Sequence, residues 1–146
     1  CRSPLAELFA RQHHKGAVVF ESAGLQVRGR LPASEGSRAV ALSHGLSLEF
    51  FTSQPVSRDL LEGTRWVIGM TRSHAAIFRS RFRGMYSGQI GVLGAPGADL
   101  LLAKSSPLCE EGDDPYGESE ETYHAAGDQI LRLVLQWAPV FSRTPI

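Results

Sequence analysis

The stretch Cys1-Arg2-Ser3-Pro4 sets a guanidinium and a hydroxyl beside a thiol, just where a helix is expected to begin. Such residues at a helix start suit an anion. Backbone N–H groups and the positive end of the helix dipole attract a phosphate, and Arg2 can clamp two of its oxygens bidentately. The same positive field lowers the pKa of a loop cysteine, making thiolate available for attack. Ser3 could donate its hydroxyl to such a thiolate, or cap the helix. Expelling an alkoxide or phenolate also needs a proton donor. Asp113 and Asp114, in a loop stiffened by Pro115, are the candidates, and adjacent loop acids cannot be ranked from spacing.

These groups need a scaffold. At 146 residues the chain is expected to form a single domain, 1–146, with one core. Lysine plus arginine equals aspartate plus glutamate, 15 against 15, so no global field argues for nucleic acid or a membrane surface as partner. No apolar run approaches the roughly 18 residues of a bilayer span. Two cysteines, Cys1 and Cys109, are too few for a secreted disulfide framework, so a cytoplasmic setting is expected.

Ser3 as N-cap and Pro4 as first helical residue predict a helix over residues 4–15, stopped by Gly16. AVVFES (17–22) predicts a buried strand. Pro32 and Ser34 introduce a helix that reaches His44, and Ser57 to Leu61 predicts a helical turn. RWVIGM (65–70) and QIGVL (89–93) predict two more strands. Between them lies a helix with apolar positions Ala75, Ile77, Phe78 and Phe82. LLLA (100–103) is extended or a short helix, residues 104–118 form an acidic loop, and Ser119 to Trp137 predicts a long helix. Its buried face is expected to carry Tyr123, Ile130, Leu131, Val134 and Trp137. Alternating helices and short apolar strands predict an α/β fold, a three-layer sandwich with a short, mostly parallel sheet flanked by helices. No strand precedes the first helix, although such sheets place their first strand inside and feed the ligand loop from it. The first strand is therefore expected to be missing, and the chain to be an N-terminally truncated fragment.

Other polar groups have plainer readings. Cys1 as an N-terminal nucleophile with its own amine as base would need a strand after it, and Pro4 points to a helix. Cys109 is expected as a small apolar residue or free thiol. His13-His14 reads as a solvated helix end, His74 as structural, and Arg72, Arg79, Arg81 and Arg83 as a solvated helix surface. No spacing suggests a metal site.

Cys1-Arg2-Ser3-Pro4-Leu5-Ala6-Glu7 resembles the second half of the phosphate loop of low-molecular-weight protein tyrosine phosphatases. That loop has the form Cys-x5-Arg-Ser-Pro, often with a second cysteine directly before the arginine. The resemblance continues in family order through Ser22-Ala23-Gly24, Met70-Thr71 with His74, and Asp114-Pro115-Tyr116-Gly117 with Tyr123 beyond it. It implies a phosphomonoesterase that forms a cysteinyl-phosphate from a phosphorylated protein or small phosphomonoester, with no metal or other cofactor. It implies Arg2 as phosphate and transition-state clamp, Asp114 as general acid and then base, Ser3 as hydrogen-bond donor to the thiolate, and Tyr116 lining the mouth. Cys1 matches the second cysteine, a candidate redox partner of the nucleophile. The nucleophile itself falls five residues upstream of Cys1, so the fragment is expected to be inactive. The alternatives are a non-catalytic phosphate-binding pseudophosphatase, an arsenate reductase and a phosphoarginine phosphatase of the same fold.

Overall fold

The structure is a computed structural model and describes residues 2–14, 18–25, 30–98 and 119–142. Its elements run α1 (Arg2–His13), α2 (Glu35–Ser43), α3 (Arg58–Leu61), β1 (Trp66–Gly69), α4 (Arg72–Arg81), β2 (Gln89–Val92) and α5 (Glu120–Ser142). They fall into two compact units, Cys1–Pro55 with Gly112–Ile146, and Val56–Glu111. No helix among the described residues is long and apolar enough to cross a membrane.

The first unit is built on α1, α2 and α5, which pack on one another. Helix α1 opens at Arg2, so Ser3 lies inside the first turn and is not the N-cap expected of it. Pro4 is tolerated there because first-turn N–H groups have no intrahelical acceptor to lose. Leu5, Phe9 and Ala10 bury the inner face of α1, and Tyr123, Ile130, Leu133, Val134 and Trp137 that of α5. Leu133, not the expected Leu131, belongs to the buried stripe, and Leu131 is half-exposed. Helix α5 also continues through Pro139, five residues beyond the expected end at Trp137. A proline there forfeits one bond to residue 135 near the helix end, where the ladder is already running out.

Ser34 caps α2 as its position predicts, its Oγ accepting the Ser37 N–H at 3.3 Å. His44 closes the other end, its N–H donating to the carbonyl of Ala41. The His44 ring meets Phe9 edge-on at 5.1 Å, and its Nε2 lies 3.8 Å from Asp128 Oδ1, so one side chain touches all three helices. His13 is solvated as expected, but His14 is not: it packs edge-on against Phe20 and Phe141 at 5.7 and 5.5 Å.

Where α2 meets α5, a Cβ on Gly127 would fall 2.5 Å from Val40 Cγ1. Val40 is 0% exposed, so it has no room to yield. Gly127→Ala should therefore destabilise the protein by up to about 2 kcal/mol. The overlap cost of overpacking, about 1–3 kcal/mol, outweighs a helix-propensity gain of about 1 kcal/mol. Urea unfolding measures this, and a stabilised variant would mean that the two helices can part without cost.

The strand expected over AVVFES (17–22) does not form. Among residues 18–25 the structure has one isolated parallel bridge, Gly24 to Pro55. Side chains take up the backbone groups that a neighbouring strand would have paired. Glu7 accepts the Ser22 N–H, Arg11 donates to the Phe20 carbonyl, and Gln54 Nε2 donates to the Ser22 carbonyl.

The second unit holds a β-α-β arrangement. Strands β1 and β2 pair in parallel with Trp66 opposite Gln89 and Gly69 opposite Val92, as the α/β reading expected of a short parallel sheet. Helix α4 connects them and packs on both. Ala75, Val92 and Ile90 form the apolar contact between helix and sheet. A Cβ on Gly69 would lie 2.8 Å from the Ala75 N, so glycine lets the chain turn tightly from β1 into α4. Phe78 is buried, stacks on Phe82 at 5.1 Å and meets Tyr86 edge-on, whose hydroxyl donates to the Gln89 carbonyl at 3.0 Å. Ile77, expected on the apolar face, is 43% exposed, about a third of a turn from the sheet-facing row.

Candidate functional site

Helix α1 starts at the residue that carries the guanidinium. Its first N–H groups lack intrahelical acceptors, and twelve aligned peptides put the positive end of the dipole at Arg2. No acidic residue occupies the first turn to neutralise that end. Arg2 and Ser3 are both half-buried on it. An anion placed there would meet backbone donors, a hydroxyl and a guanidinium together.

One row of side chains descends from this end. Ser3, Glu7 and Arg11 stand at i, i+4 and i+8, on one helix face. Glu7 Oε1 accepts the Ser22 N–H at 3.1 Å and lies 3.4 Å from Arg11 Nη2. Arg11 Nε and Nη2 donate to the Phe20 carbonyl at 3.0 and 2.8 Å. Ser22-Ala23-Gly24, one of the stretches that carried the family resemblance, is thereby bound to α1. Gln54 holds it from the other side, its Nε2 donating to the Ser22 carbonyl at 3.0 Å while its main-chain carbonyl accepts the Gly24 N–H at 2.8 Å.

Sequence reading gave Glu7 no role beyond its place in the family motif, and did not single out Arg11 or Gln54. The i,i+4 spacing of Glu7 and Arg11 was a signal for an ion pair. Nothing pointed to Gln54, whose partner is 32 residues away.

Burial pushes the Glu7 carboxyl above the ordinary carboxylate value, outweighing the lowering effects of the Arg11 guanidinium and the Ser22 N–H; the Glu21 charge adds to the rise. The folded protein thus holds this proton more tightly than the unfolded chain does. Stability from Glu7 is fully present below the ordinary glutamate value of 4.5 and is lost as pH rises through the raised folded value. Glu7→Gln keeps an acceptor for Ser22 without the buried charge. It should be more stable than the unsubstituted protein at neutral pH, with the gap closing as pH falls through that range. Paired urea titrations across pH check this; a constant gap would mean that Glu7 does not titrate in this way.

In the second unit, Thr71 caps α4, its Oγ1 accepting the His74 N–H at 3.2 Å, so Met70-Thr71 and His74 belong to one strand-to-helix turn. Arg79, Arg81 and Arg83 are exposed in and just beyond the last turn of α4, where cations complement the negative helix end. Cys1, Cys109, Asp113, Asp114 and Tyr116 lie outside the described residues.

Comparison with known proteins adds breadth to these local features. A family model described as low molecular weight phosphotyrosine protein phosphatase matches residues 1–144. Low molecular weight protein-tyrosine-phosphatase Etp of Escherichia coli K12 is 26% identical over 148 residues, covering 98% of this chain and 88% of its own. Protein-arginine-phosphatase of Bacillus subtilis 168 is also 26% identical, covering 94% and 87%. Among solved structures, the YwlE arginine phosphatase from Geobacillus stearothermophilus superposes with a TM-score of 0.82 at 22% identity, covering 97% of this chain and 86% of that one. A structure described as a protein tyrosine phosphatase gives a TM-score of 0.77 at 28% identity, covering 100% and 91%. The short parallel sheet and its helices are thus those of an α/β sandwich.

Proposed function

We infer that the chain, which belongs to the low molecular weight phosphotyrosine protein phosphatase family, serves a phosphomonoesterase that acts on phosphotyrosine in proteins. The observation that carries this reading is the start of α1 at Arg2, which puts a guanidinium at the anion-binding end of a twelve-residue helix.

The reaction divides into two displacements. A cysteine thiolate attacks phosphorus, forming a P–S bond as the ester P–O bond breaks, and Asp114 gives its proton to the departing oxygen. Water then attacks the cysteinyl-phosphate, Asp114 takes its proton, and the P–S bond breaks to release phosphate and thiolate. Throughout, the phosphoryl oxygens rest against Arg2 and the first N–H groups of α1, which stabilise the charge that builds in each transition state. Ser3 donates to the thiolate, and Tyr116 lines the mouth beside an aromatic leaving group. The family motif puts the nucleophile five residues before Cys1, and Cys1 is then close enough in sequence to be its disulfide partner. A cytoplasmic setting accompanies this reading, since the thiolate must stay reduced.

A second reading, phosphoarginine as substrate, is favoured by one observation. The curated arginine phosphatase is as similar to this chain, at 26% identity, as the curated tyrosine phosphatase. The protein expressed from its full open reading frame should hydrolyse p-nitrophenyl phosphate with chelator present, and prefer a phosphotyrosine peptide to a phosphoarginine protein. The reverse preference would transfer the substrate to phosphoarginine. Phosphate binding without hydrolysis of any ester would mark a non-catalytic phosphate-binding protein, and arsenate-coupled thiol oxidation an arsenate reductase.

A further inference from the structure

Beside the Gly24 N–H bond to the Gln54 main-chain carbonyl and the bridge to Pro55, the segment over residues 18–25 is held by side chains. A strand inside a sheet is held by a ladder of backbone bonds on each side, and losing one residue's side chain leaves that ladder intact. Here Ser22-Ala23-Gly24 is held by Glu7 from α1 and by Gln54 from the other direction, with Arg11 fixing Phe20 two residues earlier. Few side chains therefore carry much of the hold on this stretch.

Its location makes that dependence consequential. Glu7 is one helical turn below Ser3, and a turn advances about 5.4 Å along the axis. Arg2 lies five residues, or about 7.5 Å of axis, above Glu7, and the Ser22 N–H is bonded to the Glu7 side chain on that stretch.

We propose that Glu7 is a positioning residue for ester binding: it latches Ser22-Ala23-Gly24 against the Ser3–Glu7–Arg11 row so that this stretch forms one wall of the phosphate site. This rests on the phosphatase reading above. Glu7 touches no reacting atom. Its work is to hold a backbone that does border the ester, and Gln54 completes the hold from the opposite side.

The test uses the protein expressed from its full open reading frame, unsubstituted and as Glu7→Ala, Glu7→Gln and Gln54→Ala. Amide exchange at Ser22 and Gly24, KM and kcat for p-nitrophenyl phosphate, and inhibition by inorganic phosphate are measured for each. Glu7→Ala should speed Ser22 exchange about tenfold or more and raise KM and the phosphate inhibition constant about fivefold to tenfold, the scale of one lost charge-assisted hydrogen bond. kcat should stay within about twofold, because the clamp and the acid are untouched. Glu7→Gln should restore KM to within about twofold, and Gln54→Ala should raise it as Glu7→Ala does. If Glu7→Ala does not fold, Gln54→Ala against the unsubstituted protein decides the matter. Unchanged KM with faster Ser22 exchange would show that the stretch is no wall, and unchanged exchange that there is no latch. A fall in kcat alone, or in thermal midpoint alone, would reduce Glu7 to a folding role. An unsubstituted protein that hydrolyses no phosphate ester overturns the phosphatase reading and this proposal together, whereas an active one whose variants match it overturns this proposal only.

Discussion

Replacing Arg2 with alanine in the protein expressed from its full open reading frame should lower kcat/KM for an aryl phosphate by about 10³-fold or more. Removal of one preorganised donor to a developing oxyanion costs about 10²–10³-fold elsewhere, and a guanidinium supplies two donors and a full charge. It also stands at the end of α1 where the backbone N–H groups already face outward, so its loss leaves the dianion with the helix alone. Arg2→Lys should recover little, since an ammonium cannot reproduce the planar fork. Steady-state kinetics and calorimetric titration with inorganic phosphate read the effect, and the thermal midpoint separates a lost clamp from a lost fold. Activity within about tenfold of the unsubstituted protein would remove Arg2 from this role.

Much of the scaffold behind that prediction was legible because its signals are local. Ser34 and Ser57 announce the helices they cap, each accepting an N–H three residues on, as cap chemistry requires. RWVIGM and QIGVL are short apolar runs closed by turn residues, and both became strands of one parallel pair. The guanidinium at a helix start was legible too, although Ser3 proved to lie inside the first turn, past the position that caps it.

The failures share a cause: each depended on a partner distant in sequence. Val18 to Ser22 has the composition of a buried strand, but a strand needs a neighbour to complete its ladder. Glu7, Arg11 and Gln54 took those backbone groups instead. Leu131 and Ile77 fit apolar helix patterns, yet which neighbouring row turns inward depends on the surface against which the helix packs. Helix α5 was expected to end at Trp137 but runs on through Pro139, where Phe141 stacks on Trp137 and meets the distant His14 and Phe20 edge-on. The latch on Ser22-Ala23-Gly24 belongs to the same class, with Gln54 reaching across 32 residues.

Asp114 is the other half of the proposed chemistry, and leaving groups can test it. If it protonates the departing oxygen, Asp114→Asn should lower kcat/KM, which reports the first displacement, by about 10²–10⁴-fold for phenyl and alkyl phosphates. Nitrophenyl esters should suffer far less, because nitrophenolate leaves well without a proton. A plot of log rate against leaving-group pKa should therefore steepen in the variant. The fall in rate at acid pH that comes from protonating the base for the second step should also disappear, as asparagine does not titrate. Asp113→Asn, carrying the same charge change one residue away, serves as the control and should leave the slope as it was. The adjacent carboxylates thus become distinguishable by function where spacing alone left them equal. An equal loss in kcat/KM for every leaving group would assign Asp114 to binding or loop structure. A steeper slope in Asp113→Asn than in Asp114→Asn would move the proton donor by one residue.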